Sequence, residues 1–126
     1  MLYVYSISDQ TVAIEGPVQF TTVGIQKGRN IVQTTETTLT INCPGIYEVT
    51  FNGTAAAAST LQLYLNGEAL PGALAEGTSL AFTALAQVNP NCCAITNNLP
   101  ARLQVVNVGA AAADLSNAAL TILKVG

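Results

Sequence analysis

The sequence predicts an all-β domain of two packed antiparallel sheets, closed as a sandwich or a barrel. Three observations carry this. Short β-branched or alternating runs recur along the chain, and they are closed by Gly, Pro and Asn. The alanine runs at 55–58 and 110–113 are each four residues long, far short of the ~12 residues an isolated helix needs. Finally, 126 residues is the length of one domain, since a single core usually organises ~100–200 residues.

Taken in order, the candidate strands lie at 2–7, 11–14, 18–22, 30–34, 37–42, 46–52, 61–65, 79–87, 92–96, 102–108 and 118–125. In the fifth, Leu39, Ile41 and Cys43 form an apolar row that Pro44-Gly45 ends, because a continuing central strand does not accept proline. In the sixth, Tyr47, Val49 and Phe51 share one face while Glu48 and Thr50 point to the other. Leu61, Leu63 and Leu65 repeat this period of two, and Asn66-Gly67 then reads as a tight hairpin turn. The two alanine runs read as strand edges or loops where another backbone packs close. A short helical turn is allowed at Asp114-Leu115-Ser116.

Half the residues are hydrophobic and 9% are charged, against about 25% charged in an average soluble domain. Such a chain either covers much of its surface with partner subunits or exposes Thr, Asn, Gln, Ser and Ala. Lys27, Arg29, Arg102 and Lys124 are scattered among seven carboxylates, so there is no basic stripe for nucleic acid. No apolar run approaches the ~18 residues of a membrane span. The opening MLYVYSIS lacks a positively charged leader segment and reads as a strand, so no removable secretion leader is expected.

The odd set of Cys43, Cys92 and Cys93 argues against a disulfide framework. These are expected to be structural thiols, with Cys43 in a strand facing the core and one of Cys92 or Cys93 facing inward. With no His in the chain, an enzyme would lack its usual general base. Cys92 and Cys93 have no basic residue within eight positions to lower a thiol pKa. Glu68 and Glu76 fall in the loop-like stretch 66–77, where solvated charges are expected rather than a glycosidase pair or a calcium loop. Gly24 to Gly28 is too short for a phosphate loop. No catalytic residue, cofactor or metal is expected.

The stretch Leu39-Thr40-Ile41-Asn42-Cys43-Pro44-Gly45-Ile46-Tyr47-Glu48-Val49-Thr50-Phe51 resembles a signature of the tumour-necrosis-factor-like and complement-head jelly rolls. Leu61 to Gly67 is similar to that family's strand ending in Asn-Gly, and Ala118 to Val125 to its closing strand. Bacterial members that cap exosporium filaments and phage particle proteins with similar heads are the nearest match. The resemblance implies a two-sheet antiparallel jelly roll that forms a homotrimer. Tyr47, Val49, Phe51, Leu61, Leu63, Leu65, Leu120 and Ile122 are then expected in the protomer core or at the trimer seam. Asn66, Gly67, Glu68 and Glu76 are expected in an exposed loop.

The expected function is a non-enzymatic surface module on a particle, a phage virion decoration or fibre head, with a spore or cell-surface tip as the alternative location. Its partners are copies of itself and capsid, fibre or surface-layer proteins. The alternative function is an adhesin that recognises a glycan or host-surface receptor through apical loops.

Overall fold

The computed structural model describes residues 1–88 and 100–126. Nine strands run in the order β1 (Leu2–Ser6), β2 (Gln10–Val12), β3 (Thr22–Gln26), β4 (Ile31–Gln33), β5 (Leu39–Ile41), β6 (Gly45–Leu65), β7 (Glu68–Val88), β8 (Ala101–Asn107) and β9 (Ala113–Lys124), with no helix among the described residues. The pairing is antiparallel throughout. The fold is a two-sheet antiparallel jelly-roll sandwich.

Two long strands tie the sheets together. The first part of β6 pairs with β9 from Tyr47 to Ala55, and its last part pairs with β8 from Leu61 to Leu65. Its hairpin partner β7 follows it across, pairing Gly45 to Thr54 with one half and Ser59 to Leu65 with the other. One sheet therefore runs β3-β1-β9-β6-β7 and the other β4-β5-β8-β6-β7. The change of sheet falls at the register shift between Thr54 and Ser59, as strands that pass between sheets turn at bulges. Residues 55–58 are the alanine run, and small side chains suit that corner. The strands expected at 46–52 and 61–65 are thus one strand, and so are 79–87 and the stretch before it.

Alternation within each strand fills the space between the sheets. Leu2, Val4, Tyr47, Val49, Phe51, Leu120 and Ile122 point in from one sheet, and Leu39, Ile41, Leu61, Leu63, Leu65, Leu103 and Val105 from the other. Phe51 meets Phe20 edge to face at 6.3 Å and stacks on Phe82 at 5.5 Å.

Several expectations are corrected. Residues 18–20 bury Val18 and Phe20 but lie outside any strand, beside an isolated bridge from Pro17 to Val106, and the next strand begins at Thr22. Pro17 has no N–H for a ladder, and the Gln10 side chain binds the Gln19 backbone through both its oxygen and its nitrogen. Asp114 to Ser116 lies in β9, with Asp114 paired to Thr11 and Leu115 to Gln10, so there is no helical turn. Cys43 follows the end of β5 in a half-buried turn, because Pro44 stops the ladder before it. The strand at 92–96, with Cys92 and Cys93, lies outside the described residues.

Candidate assembly face

The side chains opposite the core set are the candidate site. Cross-strand neighbours line up in rows on the outer face of the β1-β9-β6-β7 sheet. One row is Tyr3, Thr121, Thr50 and Thr83; the next is Tyr5, Ala119, Asn52 and Ala81. Toward the end where β6 begins, Leu123, Glu48 and Leu85 form a third row, with Ile46 beyond it. Leu85 is 62% exposed, Leu123 41% and Ile46 39%. Across these rows the face is built from Thr, Asn, Ala, Tyr and Leu, and Glu48 is the one formal charge.

At the edge of this face Tyr3 and Tyr5 stand side by side, with ring centroids 5.5 Å apart. They lie over Gly24 of β3, where an added Cβ would come within 2.7 Å of the Tyr3 ring. Glycine is required there by that close approach. The register of β1 against β3 shifts between Tyr3 and Val4 at the same place.

At the opposite end of the sheet a cleft of about 490 Å³ opens where β2, β9 and the β6 corner meet. Asp9 and Asp114 contribute its carboxylates. Thr11 donates a 2.8 Å hydrogen bond to Asp114 through its hydroxyl, and the Ser116 hydroxyl donates to the Thr54 carbonyl at 3.4 Å. These polar groups chiefly hold neighbouring strands. No group of three or more His, Cys, Asp or Glu side chains suited to a metal ion occurs among the described residues.

Tyr47, Val49, Phe51, Leu61, Leu63, Leu65, Leu120 and Ile122 are at most 3% exposed in the single chain. They belong to the protomer core and leave nothing for a seam. The alternation partners of Tyr47, Val49, Phe51, Leu120 and Ile122 form the outer face described above, and sequence reasoning had the signal for them in Glu48 and Thr50. Asn66 and Gly67 form the two-residue turn between β6 and β7, where Leu65 pairs with Glu68. Both have positive φ, 51° and 84°, as a type I′ turn demands. Glu68 and Glu76 are exposed, but they lie on β7 rather than in a loop, paired with Leu65 and Thr60. Pro71-Gly72 disguised this stretch: it falls in the register shift opposite Gln62 to Tyr64, where a bulge tolerates both residues.

Burial pushes the Tyr47 phenol above its ordinary value, and the nearby Cys43 thiol adds to the rise.

No protein-family model matches the sequence, and no curated protein matches it. Similarity appears among solved structures. The globular domain of zebrafish complement 1qA protein superposes with a TM-score of 0.75 at 13% identity, over 99% of this chain and 96% of that one. Murine APRIL gives 0.67 at 13% identity, with 98% of each chain covered. The PRD1 vertex protein P5 gives 0.61 at 12% identity, over 99% of this chain and 96% of that one. At these identities the likeness establishes the fold, a jelly roll of the tumour-necrosis-factor and complement-head type.

Proposed function

We propose that this chain is a non-enzymatic homotrimeric surface module, carried on a virion as a decoration or fibre head, and that its copies meet through the outer face of the β1-β9-β6-β7 sheet. The observation that carries the reading is the composition of that face. A sheet face left to water usually carries charged side chains, whereas this one carries Thr, Asn, Ala and Tyr with exposed Leu85, Leu123 and Ile46. Covering it removes apolar area from water, at about 25 cal/mol per Å², and leaves few charges to desolvate. A chain with 9% charged residues gains from hiding such a face.

The jelly-roll fold supports a displayed module, and a vertex protein among the similar structures supports a particle as its location. Attachment to capsid or fibre proteins then falls to surfaces outside the assembly face. Mass spectrometry of purified particles from the producing culture tests the location. The chain should appear at a constant ratio to the major structural protein, in multiples of three copies. Its absence from the particles, with the protein found free, would overturn the virion reading.

A further inference from the structure

Glu48 stands among neutral neighbours on the face proposed above. Leu123 and Leu85 flank it across the strands. Along β6 its same-face neighbours are Ile46 and Thr50, and the diagonal positions are Thr121 on β9 with Thr83 and Gln87 on β7. None of these titrates. Lys124 pairs with Tyr47, an inward position, and its chain passes over Gly45, where an added Cβ would meet Lys124 Cε at 2.6 Å. Gly126 is hydrogen-bonded to Ile46 beyond that end, and Asp114 sits at the far end beside β2. Of the remaining cations, Arg102 is on β8 in the other sheet, Lys27 and Arg29 lie between β3 and β4, and the Met1 ammonium, at the start of β1 beyond Leu123, donates to the Lys27 carbonyl at 3.4 Å.

We infer that covering this face makes Glu48 take up a proton, so that self-association is strengthened by acid. The inference rests on the assembly reading. When copies meet through one shared face, each brings its Glu48 into a region flanked by Leu85 and Leu123, with no cationic side chain in the neighbouring rows. A carboxylate that loses water among apolar neighbours favours its neutral form, and like charges brought together favour it further. Protons bound on association then tighten the complex as pH falls. The carboxyl oxygen accepts the proton from solvent and no other bond changes.

The test mixes isotopically heavy and light pools of the full chain and follows subunit exchange and oligomer mass by native mass spectrometry at pH 7.5 and pH 5. Wild type should exchange at least tenfold more slowly at pH 5. Glu48→Gln should exchange slowly at both values, with little pH dependence, because its side chain is neutral throughout. A trimer whose exchange is equally fast at both pH values, or whose Glu48→Gln variant keeps the wild-type pH dependence, overturns this inference and leaves the assembly face standing. Exchange that speeds up in acid, and is lost in Glu48→Gln, would mean a cation from the facing copy pairs with Glu48, and also overturns it. Monomers at every pH in both proteins overturn the assembly reading and this inference together.

Discussion

The Tyr47 hydroxyl donates a 2.7 Å hydrogen bond to the backbone carbonyl of Cys43, which ties the turn after β5 to the first buried side chain of β6. The ring fills the core and the hydroxyl reaches back four residues to the chain that delivered it, so the Pro44-Gly45 break is held by its own successor. Gly45 has φ 151° and lies against Lys124 and Gly126. The turn is therefore fixed from both sides.

Removing that hydroxyl should cost about 1 kcal/mol, the usual worth of one such bond. Tyr47→Phe keeps the ring and should lower the urea midpoint by that loss divided by the slope, with the slope unchanged. The phenol also contributes to alkaline unfolding. Its pKa is raised in the folded state, so its contribution is complete below the ordinary value of 10.0 and is lost as pH climbs beyond it. Tyr47→Phe should lack that part of the alkaline loss, read as a smaller fall in midpoint above pH 10 than wild type shows.

Gly67 has φ 84° with open space around an added Cβ, so a side chain there strains the backbone alone. Gly67→Val should destabilise by roughly 1–2 kcal/mol. An unchanged thermal midpoint would contradict the type I′ turn. Asn66 adds a second role, since its side chain accepts a 2.8 Å bond from the Arg102 N–H and its own N–H donates to the Arg102 carbonyl at 2.8 Å.

Asn107 is fully buried at the end of β8. Its side-chain nitrogen donates to the carbonyls of Val12 at 3.1 Å and Ala111 at 2.9 Å, and its oxygen accepts from the Gly109 N–H at 2.9 Å. This clasp closes the connection to β9 and holds the end of β2. Asn107→Ala strips three backbone groups of their partner and should cost about 2–3 kcal/mol, measured by urea unfolding. A loss below a few tenths would show that water replaces the amide.

How much of this was legible follows from what each residue leans on. Alternation at Tyr47, Val49 and Phe51, and at Leu61, Leu63 and Leu65, is local, so the core was readable from spacing. Asn66-Gly67 was readable because two positive φ values need those residue types. The 55–58 corner was not, because alanine carries no strand signal and its place depends on β7 turning alongside. Pro71-Gly72 concealed a bulged strand for a similar reason. Asn107 gave no signal, since its partners lie up to 95 positions away. The outer sheet face was half legible: Glu48 and Thr50 were seen to point away from the core, but the rows that join them to Thr121 and Thr83 exist only once β9 and β7 are in register.

Phe51 and Glu68 separate core from surface. Phe51→Ala removes a ring packed on Phe20 and Phe82 and should cost roughly 3–5 kcal/mol, lowering folding and assembly together. Glu68→Gln should leave both unchanged, because Glu68 is exposed in the β4-β5-β8 sheet next to the hairpin turn. Loss of particle attachment in a Glu68→Gln trimer would mark that end of the molecule as a recognition site.

The assembly face is tested most directly by the mass of Thr50→Arg in solution. Thr50 sits mid-face between Thr121 and Thr83, so an arginine there remains solvated in a single chain but becomes a desolvated charge in a covered face. Sedimentation equilibrium at micromolar concentration should give three chain masses for wild type and one for Thr50→Arg, with matching circular dichroism. A monomeric wild type, or a Thr50→Arg variant that still sediments as a trimer, would contradict the account.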